Sequence, residues 1–163
     1  MKRLILMRHA KSDWSSGAAS DFERSLNARG RASATALGDW LRGLDLMPDQ
    51  VLSSAAERTG ETCLRLRLPD GTAQQFTRDL YLATHQEIMA QLRGAQGDVV
   101  LVVGHNPGIG NAAVNMVTAA PAHPQFDSYP TGATLVADFE IGDWRDADWG
   151  QANARHFVVP RDL

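Results

Sequence analysis

Asp98-Val99-Val100-Leu101-Val102-Val103-Gly104-His105-Asn106-Pro107-Gly108 is the stretch that decides the fold class. Val99 to Val103 is wholly apolar and mostly β-branched, the composition of a strand buried on both faces of a parallel sheet. It runs directly into a Gly- and Asn-containing turn, and Pro107 suits the first turn of a helix. Arg3-Leu4-Ile5-Leu6-Met7 has the same character and leads out through Arg8-His9-Ala10. Between these two strands the pattern alternates. Asn27 is placed to cap a helix over residues 28–43, with Leu37, Trp40, Leu41 and Leu44 at helical spacing and Gly43 and Pro48 ending it. Residues 49–54 read as a strand, 56–66 as a helix, 74–77 as a strand and 85–92 as a helix; 131–139 and 156–159 supply the last strands. Residues 11–26 are polar and aperiodic, a loop, and the Asp- and Trp-rich stretch 142–150 reads as a hairpin or loop. Strands alternating with helices predict an α/β fold, a three-layer α/β/α sandwich with a mostly parallel central sheet.

Composition narrows the function. At 163 residues, with no repeat, linker or low-complexity segment, the chain reads as one domain over residues 1–163. Hydrophobic residues at 44% and charged residues at 21% exclude a disordered chain. A net charge of −3 offers no bulk positive field for nucleic acid, so any anion site is built locally. Leu4 to Met7 is too short for a signal-peptide core and no run approaches a membrane span, which makes a cytoplasmic protein the expectation. A single cysteine, Cys63, permits neither an internal disulfide nor a multi-cysteine metal site. The oligomeric state is not legible.

Ligands of open parallel sheets bind beyond the carboxyl ends of the strands. Two of the five histidines, His9 and His105, stand at such ends. Arg8 precedes His9, and Arg58 lies just beyond the strand end at Ser53-Ser54, early in the next helix. Two guanidiniums match the oxygens of a phosphoryl dianion. A neutral imidazole is a competent nucleophile toward phosphorus, and a second imidazole can stabilise charge on the transferring group. The four residues therefore suit phosphoryl transfer through a phosphohistidine intermediate, with no metal and no cofactor. As metal ligands, His9 and His105 would have the fixed charge of Arg8 repelling the cation. Cysteine-based chemistry needs an arginine six positions beyond the nucleophile, where Pro69 follows Cys63 instead. The aspartate pair Asp146 and Asp148 follows no buried strand.

Arg8-His9-Ala10-Lys11-Ser12 resembles the signature of the histidine phosphatase (phosphoglycerate mutase-like) superfamily. Leu26 to Gly30, Ser53 to Thr62, Val103 to Pro107 and Tyr129 to Ala133 are similar to its SixA-type phosphohistidine phosphatase branch. The resemblance extends over nearly the whole chain. It implies that His9 is the phosphorylated nucleophile and that Arg8, Arg58 and His105 complete the phosphate pocket. Asn106, Ser15 and Lys11 are further candidate donors to substrate. Larger members carry a glutamate general acid. The corresponding stretch, Arg78 to Glu87, offers only Asp79 and Glu87, neither clearly on the motif. An imidazole leaving group needs an acid less than an alkoxide does. The expected substrate is therefore a phosphohistidine-bearing protein. The alternatives are a small phosphate ester or, for a silent domain, a phosphoprotein that is bound without turnover.

Overall fold

The computed structural model describes residues 1–15 and 17–163. Six strands form one sheet: β1 (Lys2–Arg8), β2 (Gln50–Ser54), β3 (Ala73–Thr77), β4 (Val99–Gly104), β5 (Thr134–Phe139) and β6 (Asn153–Val158). Their order is β3-β2-β4-β1-β5-β6. The first four neighbours pair in parallel, and β5 runs antiparallel between β1 and β6. Helix α1 (Ala28–Gly43) joins β1 to β2, α2 (Glu57–Arg65) joins β2 to β3, α3 (His85–Arg93) joins β3 to β4, and α4 (Gly108–Met116) follows β4.

Alternation along the central strands divides the core into two layers, because successive side chains point to opposite faces. Leu4 and Leu6 of β1 with Val100 and Val102 of β4 pack with Ile88, Met89 and Leu92 of α3 and Ile109, Ala112 and Met116 of α4. Ile5 and Met7 with Leu101 and Val103 pack with Leu37 and Leu41 of α1, with Cys63 of α2 and with Leu66 just beyond it. The result is the three-layer sandwich that the apolar strands predict. Cys63 is a buried core residue, its thiol pushed up to about 12 by burial.

Differences from the expected elements have local causes. β5 starts at Thr134 rather than at residue 131 because Gly132, at φ +78°, turns the chain first. β6 starts at Asn153, earlier than expected, and its outer, half-exposed face carries no apolar run to announce it. Trp144 is core, with Nε1 donating to the Gly97 carbonyl at 2.6 Å, while Trp149 is half-buried against the same cluster. Among the described residues, no helix is long and apolar enough to cross a membrane.

The turn after β4 depends on a close approach of backbones. A side chain at Gly108 would overlap the Ala83 carbonyl, so α4 meets the loop before α3 only because residue 108 has no Cβ. Gly108→Ala is expected to destabilise the fold by about 1–3 kcal/mol, the range for overpacking against a backbone atom that cannot yield. Urea unfolding monitored by circular dichroism checks this; an unchanged midpoint would mean that the two segments separate at no cost.

Candidate active site

The β1–β4 register sets the site. Arg8 pairs with Gly104 across the two parallel strands, so the next residues, His9 and His105, leave the sheet side by side. Their ring centroids are 5.3 Å apart and their planes are inclined at 54°. The His9 backbone N–H donates to the Gly104 carbonyl at 3.1 Å, and its carbonyl accepts from Gly132 at 2.9 Å. The ring is fixed as well. His9 Nδ1–H donates to the Ala10 carbonyl at 2.6 Å, which leaves Nε2 with its lone pair.

His105 meets the third strand end. Its Nε2 lies 2.8 Å from Ser54 Oγ, an oxygen that already accepts from the Ala56 N–H. The serine hydroxyl can therefore donate to Nε2, which leaves the proton of His105 on Nδ1. Tyr81 stands edge-on to the His105 ring with centroids 5.4 Å apart.

Both guanidiniums are held from behind. Arg8 Nη1 donates to the Tyr129 carbonyl at 3.2 Å. Arg58, only 3% exposed, donates from Nη1 to the Asp21 carbonyl at 2.7 Å and from Nη2 to Asp21 Oδ2 at 3.0 Å. Thr62 Oγ1 accepts from the Ala10 N–H and donates to the Arg58 carbonyl, which ties the segment after His9 to α2. Three buried side-chain nitrogens have no hydrogen-bond partner among the described residues: Arg8 Nε, Arg58 Nε and His105 Nδ1. All three belong to residues of one cleft, which also includes His9, Lys11, Ser12, Trp14, Asp21 and Arg24. Unpaired buried donors are costly, and three on residues that line one cleft from three strand ends are a donor set that a tetrahedral oxyanion can satisfy.

Electrostatics agree with this arrangement. Burial, then the charges of His105, Arg8 and Arg58, lowers His9 to about 3 against the opposing hydrogen bond to Ala10. Burial and Arg58 lower His105 to about 3. Both imidazoles are thus neutral near pH 7, which is the state a nucleophile requires. Burial and the adjacent Arg58 also lower Arg8. Asp21 is held down at about 2, first by the Tyr81 hydroxyl and then by Arg58 and Arg24.

The structure brings together Arg8, His9, Arg58 and His105, with Lys11 and Asn106 at the cleft. Asn106 has its amide committed: Nδ2 donates to the Ser128 and Tyr129 carbonyls and Oδ1 accepts from Gly110. That side-chain amide braces the turn and has no hydrogen left for substrate. Ser15 is outside the cleft lining, bonded to Asp13 through both its N–H and its hydroxyl. Neither candidate acid lines the cleft. Asp79 is exposed on the turn after β3, and Glu87 accepts from the N–H and hydroxyl of Thr84 in a helix capping box. Sequence reasoning missed Asp21, Arg24 and Tyr81. They lie in or against the aperiodic loop, and only the spacing of Asp21 and Arg24, one turn apart, hinted at their pairing at 3.1 Å. Among the described residues, no group of three His, Cys, Asp or Glu is placed to hold a metal ion.

The family model for the histidine phosphatase superfamily (branch 1) matches residues 4–81. An uncharacterized protein of Mycobacterium tuberculosis is 34% identical over 162 residues, covering 95% of this chain and 100% of that protein. The chain belongs to the histidine phosphatase superfamily. Within it, the chain falls in the SixA-type branch. The structure of a putative phosphohistidine phosphatase SixA from Nakamurella multipartitia superposes with a TM-score of 0.85 at 29% identity, covering 98% of this chain and 96% of that one. A putative phosphohistidine phosphatase SixA from Agrobacterium tumefaciens gives 0.77 at 25% identity, covering 98% of each chain. Membership places the chain among the phosphatases.

The two histidines make the fold sensitive to acid. They titrate at an ordinary value of 6.5 when unfolded and at about 3 when folded, so protons favour the unfolded chain between these limits. The stability involved is full above pH 6.5 and is lost as pH falls toward about 3, by up to about 1.4 kcal/mol per pH unit for each ring. Urea midpoints measured from pH 7 to pH 5 are expected to fall less steeply for a His9→Ala/His105→Ala double variant than for the parent chain. Equal slopes would show that the rings protonate freely in the folded state.

Proposed function

We propose that the chain is a cytoplasmic, metal-independent phosphohistidine phosphatase that acts on a protein, with residues 1–163 as one domain. The reading is carried by the three unpaired donors, Arg8 Nε, Arg58 Nε and His105 Nδ1, beside the oriented lone pair of His9. A sheet drawing strands from Lys2 to Val158 supports the single domain. Two guanidiniums supply the positive charge that a metal supplies in other phosphatases.

In the first step His9 Nε2 attacks phosphorus and the bond from phosphorus to the substrate imidazole breaks. A substrate ring protonated on its other nitrogen then leaves as neutral imidazole. Arg8 and Arg58 take the phosphoryl oxygens, and His105 donates through Nδ1 to the charge that spreads over them. In the second step water attacks phosphorus, the bond to Nε2 breaks, and phosphate departs with the oxygen of that water. His9 regains its lone pair.

Substrate class follows from the carboxylates. Asp21 is the carboxylate of the cleft among the described residues, and at about 2 it is ionised at neutral pH, already occupied by Arg58 and Tyr81. An ionised, committed carboxylate cannot protonate an alkoxide, whereas an imidazole leaving group does not ask it to. The open cleft, rimmed by exposed Trp14 and Leu82, suits a side chain presented on a protein surface.

Turnover of a phosphohistidine-bearing protein is expected to exceed that of sugar and nucleotide monophosphates by about 10²-fold or more in kcat/KM, and His9→Ala to lower it by about 10³-fold or more. Rapid quench with labelled substrate should trap an acid-labile, base-stable phosphoryl group on the parent chain and none on His9→Ala. A preference for esters, or label on a residue other than His9, would overturn the proposal.

A further inference from the structure

A second cleft adjoins the first, and the two share Lys11 and Thr131. Its other lining residues include Arg29 and Ser33 from the first turns of α1, Gln125 and Pro130 from the loop before β5, and Arg161 from the C-terminal turn. Arg29 and Ser33 are four residues apart and so share one face of α1. Three cations, Lys11, Arg29 and Arg161, therefore surround one concavity in a chain whose net charge is −3. None of the three makes an ion pair or a side-chain hydrogen bond among the described residues. Arg3, Arg24, Arg42, Arg58, Arg145 and Arg155, by contrast, are each paired with an aspartate.

We propose that this basic cleft docks acidic residues of the protein that presents the phosphohistidine. The inference rests on the phosphohistidine reading and adds to it the chemistry of the partner: aspartate or glutamate beside the phosphorylated ring. Asp162 neighbours Arg161, but among the described residues no carboxylate lines this cleft, so the three like charges repel one another and carboxylates bound between them relieve that repulsion. Continuity through Lys11 and Thr131 lets one surface fill both clefts at once. Among the residues lining the catalytic cleft, Trp14 is 81% and Leu82 54% exposed. Apolar contacts at the catalytic cleft and basic ones at the adjoining cleft form a footprint wider than a metabolite and suited to a protein surface.

The test uses two peptides that carry a non-hydrolysable phosphohistidine analogue, one flanked by aspartate and glutamate and the other by serine and glycine. Calorimetry on the full chain is expected to show the acidic peptide binding about five- to tenfold tighter, from two or three exposed ion pairs. That preference should vanish in Arg29→Glu/Arg161→Glu and shrink in Arg29→Gln/Arg161→Gln, and should weaken in the parent chain as salt rises. Phosphoramidate, which reaches only the catalytic cleft, should be hydrolysed by both variants within about twofold of the parent rate. Equal affinity for the two peptides overturns the docking surface, as does a loss of phosphoramidate turnover in both variants. If the parent chain hydrolyses esters but not phosphoramidate or phosphohistidine, the phosphohistidine reading itself falls and the docking surface falls with it.

Discussion

The pairing of Arg8 with Gly104 across β1 and β4 is the constraint from which the site follows. Parallel strands keep their carboxyl ends on one side, and this register brings the residues after them level. His9 and His105 meet for that reason and no other, since they are remote in sequence. Ser54 arrives from β2 on the opposite flank of β4 and reaches His105 at 2.8 Å. A one-residue slip in a strand whose two faces are both buried would turn Leu4 and Leu6 into the layer of α1 and α2 and carry His9 out of line. The packing that stabilises the sheet therefore also aligns the imidazoles.

Around that pair, Arg8, Arg58 and His9 are each held by a group that takes no part in the proposed reaction. Arg8 leans on the Tyr129 carbonyl, Arg58 on Asp21, and His9 on the Ala10 carbonyl. Each of these contacts uses one edge of the side chain and leaves a nitrogen of the same side chain without a partner. Orientation is thus settled before an anion arrives, so little reorganisation accompanies charge development. The neutral state of the imidazoles comes from the same enclosure: burial and two fixed cations disfavour a third and fourth positive charge.

How much of this the sequence disclosed depended on whether the information was local. Val99 to Val103 and Leu4 to Met7 are strands by composition alone, and the histidines that follow them were readable as strand-end residues. Arg58 was reachable because it sits early in a helix that starts where a strand stops. Asp21, Arg24 and Tyr81 were not readable. Their role exists only through contacts with α2 and with the β3–α3 connection, and an aperiodic loop carries no signal for contacts of that range. The side chains of Asn106 and Ser15 differ from expectation for the opposite reason. Each is a polar residue near a strand end or in a site loop, yet each spends its hydrogen bonds on neighbouring backbone or side chain. Asp79 and Glu87 had the right chemistry on a segment that faces elsewhere.

Asp21 and Arg58, joined twice over, make two distant stretches of chain answerable to each other. Losing the carboxylate leaves a buried cation with one fewer anchor, whereas losing the cation leaves Asp21 to Arg24 and Tyr81. The short turn containing residue 21, which forms no long helix or strand, is thereby fastened to α2 as firmly as a regular element would be.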